Sequence, residues 1–240
     1  MPIIVAANPK GGSGKSTTCL VLGTTLAKNG ATVRIIDADP QGTLRRWRDR
    51  GNSKYRDIVV TPTPGEDLTE LIDKLASEFQ FVLIDVQGTA NQELVAAMSR
   101  ASLVLIPMHA MTADADVATK AISLLHSQER LFRRSIPHGV VFIATSKLIK
   151  TREERMILEG VEKLKIPRFQ TALNARAAFS ELHAYRCALE ELDPKKTNGI
   201  DKAEANAYAF MQEVLHVLKN GQVKEDVQIL DGHATEEVLN

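Results

Sequence analysis

The amino-acid sequence predicts a three-layer α/β fold with a mostly parallel central sheet flanked by helices. Three observations carry this reading. Short apolar runs alternate with longer segments of helical periodicity along the chain, the pattern of strands joined by crossover helices. The first run, Ile3-Ile4-Val5-Ala6-Ala7, enters a glycine-rich loop and then a helix. A later run, Phe81-Val82-Leu83-Ile84, ends in Asp85. Continuous apolar runs of this kind fit strands buried on both faces.

The loop after the first strand reads Asn8-Pro9-Lys10-Gly11-Gly12-Ser13-Gly14-Lys15-Ser16-Thr17-Thr18. Strand, glycine-rich loop, Gly-Lys-Ser and helix in that order mark a phosphate-binding loop, and the fold class sharpens to a P-loop NTPase. Glycines let backbone N–H groups close around phosphate oxygens at the positive end of a helix. Gly11, Gly12, Ser13, Gly14 and Thr17 are therefore candidate nucleotide contacts. Lys15 supplies an ammonium for the β- and γ-phosphates, and Ser16 a hydroxyl for Mg²⁺. Lys10 has no structural need: it is too polar for the core, and the loop already has a cation in Lys15.

The helix that follows carries Cys19, Leu20, Val21, Leu22 and Leu26 and ends at Lys28-Asn29-Gly30. Thr32 to Ile36 reads as the second strand, closed by Asp37-Ala38-Asp39-Pro40-Gln41-Gly42. Acids at the carboxyl end of a strand sit where open α/β sheets bind ligands. Thr43 to Arg50 is a short basic helix whose arginines form a solvated face, a dimer edge or a phosphate contact. Asp57 to Thr61 reads as a third strand, and Leu68, Leu71, Ile72 and Leu75 as a helical stripe. The run ending at Asp85 is the Walker B pattern, its acid reaching Mg²⁺; Gln87-Gly88 follows as a flexible loop.

Beyond it come a helix with Leu94, Ala97 and Met98, a strand from Ala101 to Pro107, and a loop with His109, read as a loop residue rather than an acid/base. A long helix from Ala113 to Phe132 has Val117, Ala121, Leu124, Leu125 and Leu131 on its apolar face. The sixth strand is Gly139 to Thr145. Thr151 with Glu154 has capping-box spacing and opens a helix with Met156, Ile157, Val161 and Leu164. Ile166-Pro167-Arg168 leads into Ala172 to Ala184, a segment with a helical stripe that includes His183. Leu189 to Gly199 reads as a polar connector, and Ala203 to Leu218 as the last helix. One domain over 1–220 and an acidic, mobile tail over 221–240 are expected.

Lys10-Gly-Gly-Ser-Gly-Lys15-Ser-Thr resembles the deviant Walker A box of the ParA/MinD ATPases. The resemblance covers almost all of the predicted domain, and Asp37 to Gln41 matches the family's switch I. It implies ATP and Mg²⁺ as cofactors and an ATP-sandwich homodimer in which Lys10 acts in trans, with Lys15 in cis. It implies that Asp39 positions or activates the attacking water, with Asp37 and Asp39 joining Ser16 and Asp85 around the metal. Pro40, Gln41, Gln87 and Gly88 would switch with nucleotide state, and Thr145, Ser146 and Lys147 match the adenine-holding positions. The loop after Asp85 lacks the family's usual prolines; its glycine, Gly88, together with the Arg-Trp-Arg helix resembles ParA-type ATPases attached to conjugative and T-DNA transfer, and Ile166-Pro167-Arg168 resembles the family's short strand.

The resemblance further implies non-specific DNA binding by the ATP dimer. Candidate contacts are Lys150, Arg152, Arg168, Arg176, Arg186, Lys195, Lys196 and Lys202. A ParB-like or relaxosome-type partner would stimulate a weak ATPase that positions plasmid or conjugative DNA. Charge fits only a local DNA patch, because 30 basic residues balance 30 acidic ones. The two cysteines, Cys19 and Cys187, have no metal-ligand spacing and fit a reducing cytoplasm; the resemblance implies nucleoid association in the ATP state. No export signal, spanning run or basic amphipathic tail is read, so no membrane partner is expected. With no extension before the first strand, operator binding of the larger ParA type is not expected. A MinD-like membrane regulator and a metabolic P-loop enzyme are the competing readings.

Overall fold

The computed structural model describes residues 1–87, 92–145 and 151–223, with the side chains of residues 112–118 also outside the description. Gly88, Ser146, Lys147, Lys150, the Val117 side chain and the tail beyond residue 223 lie outside the described residues. In chain order the strands are β1 (Ile3–Ala6), β2 (Val33–Ala38), β3 (Val59–Val60), β4 (Phe81–Val86), β5 (Leu103–His109), β6 (His138–Thr145) and β7 (Leu173–Asn174). The helices are α1 (Lys15–Lys28), α2 (Thr43–Arg50), α3 (Leu68–Glu78), α4 (Gln92–Arg100), α5 (Thr112–Phe132), α6 (Arg152–Lys163), α7 (Ala177–Tyr185) and α8 (Ile200–Asn220).

The strands form one seven-stranded sheet in the order β3-β2-β4-β1-β5-β6-β7. Every pairing is parallel. Strand alternation splits the core into two layers. Ile4 and Ala6 of β1 face α1, α2, α7 and α8, where Leu20, Trp47, Leu182 and Phe210 are buried. Ile3 and Val5 face α3, α4, α5 and α6, where Ile72, Met98, Leu125 and Val161 are buried. This double burial is why the central strands carry no polar face. The chain leaves β1 toward β2, and after β4 it crosses β1 to reach β5. The carboxyl end of β1 is thus a topological switch point, where a crevice opens between diverging connections.

Several details differ from the sequence reading. The third strand shrinks to Val59–Val60, preceded by a 3₁₀ turn at Arg56–Ile58. Ile166–Arg168 makes only an isolated bridge, Val140 to Arg168. Pro167 has no N–H to extend it. The edge strand is instead β7, so α7 begins at Ala177 rather than near Ala172. Leu131, Met156 and Leu164, expected on apolar faces, are 68%, 62% and 69% exposed. Leu131 lies six residues past buried Leu125, about 120° away around a helix of 3.6 residues per turn. Met156 lies five residues before buried Val161, about 140° away. The connector from Leu189 to Gly199 is anchored rather than merely polar: Leu189, Leu192 and Thr197 are buried, and the Thr197 hydroxyl donates to the Glu181 carboxylate. The capping box at the start of α6 forms as its spacing predicts: Glu154 N–H donates to Thr151 Oγ1 at 3.1 Å and Thr151 N–H to Glu154 Oε2 at 2.7 Å. Past α8, Val223 is buried in the first core layer, and a Cβ on Gly139 would meet it at 3.1 Å.

Candidate nucleotide site

The loop between β1 and α1 is tied down by one side chain that sequence reasoning passed over. Asn8 is buried at the end of the β1 run; its Nδ2 donates to Pro107 O at 2.7 Å and its Oδ1 accepts from Lys10 N–H at 2.8 Å. A polar residue closing an apolar strand was the available signal. Ala7 N–H extends the pairing to Leu105 O at 2.9 Å. Gly12 and Gly14 take φ of 75° and 91°, the left-handed region that a side chain strains. Gly14 is also crowded, since a Cβ there would lie 3.1 Å from the Ile143 side chain of β6. Gly11, Gly12 and the backbone after them therefore stay free of side-chain bulk, as a phosphate cradle requires.

Lys15 opens α1 and is buried, its ammonium 3.3 Å from both Asn8 O and Lys10 O. A cation held among loop carbonyls at a helix N-terminus forms a strongly anion-seeking pocket. Lys10 is half-buried at the head of the loop. Ser13 is buried, and its hydroxyl has no hydrogen-bond partner among the described residues. His109 ends β5 rather than sitting in a free loop, and its Nε2 lies 3.2 Å from Gly12 O.

Two strand ends bring the acids together. β2 and β4 pair so that Asp37 stands directly opposite Asp85. Ser16 Oγ donates to Asp85 Oδ2 at 2.5 Å. Asp37 Oδ2 accepts from Arg45 N–H at 2.6 Å, which ties the carboxylate to the first turn of α2. Asp85 is fully buried, and burial, with the nearby Asp37 charge, pushes its carboxyl up to about 7 against Ser16 and Lys15. Burial likewise raises Asp37, opposed by its backbone hydrogen bond from Arg45. Asp37 Oδ1 and Asp85 Oδ1 are buried with no hydrogen-bond partner among the described residues. Two adjacent buried carboxylates with bare oxygens and a hydroxyl beside them fit a hard, oxygen-seeking divalent cation.

Asp39 is half-buried, and its Oδ1 accepts from Gln41 N–H at 2.9 Å within its own turn. Pro40 and Gln41 are exposed, and Gln41 O accepts from the Arg46 guanidinium. Gln87 lies half-buried just past β4. Thr145 is buried at the end of β6, two strands from β1, and its carbonyl accepts from Ala175 N–H at 2.9 Å. Thr17 is half-buried in the first turn of α1, with its Oγ1 2.9 Å from His183 Nε2 of α7. No sequence signal connected those two residues.

The candidate basic residues among those described differ in exposure and in partners. Arg152, Lys195, Lys196 and Lys202 are exposed. Arg168 is mostly covered and pairs with Glu162 at 3.1 Å. Arg176 precedes α7 with its Nε buried and without a hydrogen-bond partner among the described residues, and Arg186 caps the other end of that helix at φ 55°. No helix among the described residues is long and apolar enough to cross a membrane.

Comparison with known proteins agrees with this arrangement. The model of the CobQ/CobB/MinD/ParA nucleotide binding domain matches residues 4–198. The chain is 32% identical over 227 residues to Protein ParA of Rhizobium radiobacter, covering 91% of this chain and 100% of that protein. It is 25% identical over 196 residues to Protein virC1 of Rhizobium rhizogenes, covering 76% of this chain and 80% of that one. The solved Cyanothece McdA(D38A)-ATP complex matches with a TM-score of 0.71 at 19% identity, over 95% of this chain and 99% of that chain, a likeness of fold. The chain belongs to the CobQ/CobB/MinD/ParA nucleotide-binding domain family.

Proposed function

We propose that this chain is a ParA-like ATPase that dimerises on binding ATP and Mg²⁺, binds DNA non-specifically and hydrolyses ATP to position plasmid or conjugative DNA. One observation carries this most: Lys10 heads a loop that holds the Lys15 ammonium and whose Ser16 meets the Asp37–Asp85 pair at the sheet's switch point. Lys15 and the loop N–H groups hold the β- and γ-phosphates. Ser16, Asp37, Asp39 and Asp85 hold Mg²⁺, which neutralises charge on the phosphates when bound. Asp39 orients the attacking water, and its partnered turn at Pro40–Gln41, with Gln87 and Gly88, responds to nucleotide state. Lys10 reaches the nucleotide held by a second copy. Thr145 is the adenine-side candidate among the described residues, and Lys147 is carried over from the resemblance alone. A ParB-like or relaxosome-type protein stimulates turnover, and the ATP state associates with the nucleoid in the cytoplasm. Residues 1–220 form the ATPase unit and 221–240 an acidic tail.

A relative supports the cofactor choice: the McdA(D38A) structure is an ATP complex. The test is ATP turnover and sedimentation with and without duplex DNA across a salt series. DNA stimulation that falls steeply with salt is expected, since phosphate neutralisation dominates such binding. Lys10→Ala is expected to abolish ATP-dependent dimerisation and stimulated turnover. Intact dimerisation and stimulation in that variant would refute the trans lysine, and no DNA binding in ATP at low salt would refute the DNA-binding role.

A further inference from the structure

Thr17 sits where the first turn of α1 meets the mouth of the loop, one residue after Ser16. Its hydroxyl lies 2.9 Å from His183 Nε2, from a helix 166 residues further along the chain. His183 is half-buried, and burial holds its imidazole below the ordinary histidine value, so it is neutral near pH 7. A neutral imidazole has one N–H, and its place is set by what the other nitrogen touches. With the proton on Nε2, His183 donates to Thr17 Oγ1; with the proton on Nδ1, the Thr17 hydroxyl donates to His183 Nε2.

That direction matters to an anion. A Thr17 oxygen that accepts from His183 has its own proton free to donate outward. The opposite tautomer would take that proton and leave only lone pairs facing the loop, which repel phosphate oxygens. We propose that His183 is a positioning residue for nucleotide binding, fixing the Thr17 hydroxyl as a donor to a phosphate oxygen of a nucleoside di- or triphosphate. This rests on the reading of the loop as the nucleotide site.

The same stretch of α7 also holds the other wall of the site. Leu182 O, one residue before His183, accepts from the buried indole Nε1–H of Trp47 at 3.0 Å. Trp47 belongs to α2, whose Arg45 N–H donates to Asp37. Thr17 and Asp37 are thus braced through adjacent residues of one helix: His183 meets the Thr17 hydroxyl, and Leu182 O holds the α2 that ties Asp37.

The experiment uses the full chain and a fluorescent ATP analogue with Mg²⁺, with affinity read by anisotropy. His183→Leu removes the donor at similar bulk, and His183→Gln restores an N–H donor. Thr17→Val removes the hydroxyl. Losing one neutral hydrogen bond of this kind is expected to weaken binding about fivefold in His183→Leu, with His183→Gln within about twofold of wild type. In the Thr17→Val background His183→Leu is expected to add nothing, which a double-mutant cycle reads directly. A purely structural tie between α1 and α7 gives a different pattern: lower melting temperature and an effect of His183→Leu that persists without the Thr17 hydroxyl. That pattern overturns the proposal, as does wild-type affinity in His183→Leu. If wild-type protein binds no nucleotide, the reading of the site falls and this inference with it. If it binds and the cycle shows no coupling, this inference alone falls.

Discussion

Replacing Asp85 by asparagine is expected to stabilise the metal-free, nucleotide-free protein at alkaline pH. In the folded chain burial raises the Asp85 carboxyl from its usual 3.8 to about 7. Folding therefore favours the protonated form. The associated stability is present in full below about pH 3.8 and is lost as pH rises through about 7. A shift of roughly three units corresponds to at most about 4 kcal/mol. The asparagine of Asp85→Asn would carry no charge at any pH and keep an acceptor for Ser16 Oγ. Its amide protons would need a partner where Asp85 Oδ1 now has none, an offset of about 1–3 kcal/mol. The net gain at pH 8 is about 1–3 kcal/mol, or roughly 3–8 °C in a chain of this size. The assay is thermal melting in a chelator at pH 4.5 and pH 8. The variant should melt higher than wild type at pH 8 and level with it or lower at pH 4.5, while losing the extra stabilisation that Mg-ATP confers on wild type. A variant that melts lower at pH 8, or with the same offset at both pH values, would refute the assignment of a charge-penalised Asp85.

Two further perturbations probe the frame around the site. A Cβ on Gly51, at the end of α2, would lie 2.5 Å from the carbonyl oxygens of both Trp47 and Arg186. Gly51→Ala should therefore push α2 from α7 at a cost of about 2 kcal/mol, read as a lower melting temperature; an unchanged melt would show the junction is looser than its contacts. Glu190 is the hub of a polar cluster, 3.0 Å from Lys28 Nζ, paired with Lys54 and accepting from Tyr55 Oη at 2.7 Å. Burial works to raise its carboxyl, yet these partners together hold it down at about 2. Its contribution is present above about pH 4.5 and lost as pH falls toward about 2. Glu190→Gln should cost about 1 kcal/mol near pH 7, the partners being partly exposed, and nothing near pH 2. A cost that does not shrink in acid denaturation curves would contradict the pairing.

What the sequence made legible, and what it hid, follows from how far each interaction reaches along the chain. The phosphate loop is written in consecutive residues because its geometry is local: Gly12 and Gly14 need positive φ, and Lys15 must follow at once to begin the helix. The acids were legible because each ends an apolar strand, and parallel register then sets Asp37 beside Asp85 without further instruction. Contacts between distant segments leave no such trace. His183 falls at a helical spacing that fits core packing, and nothing near it names Thr17. Trp47 reads as an apolar face until its indole is found on Leu182 O. The last strand differs for a related reason: Ile166-Pro167-Arg168 was expected as a short strand, but a strand is decided by which backbone groups find partners. Pro167 cannot donate, so the pairing that counts moves on to Leu173–Asn174. Local chemistry thus announces the ligand, whereas the orientation of the groups that meet it is set by long-range packing. Substitutions on α2 and α7, outside the motif, are accordingly where nucleotide affinity can change while the motif itself stays intact.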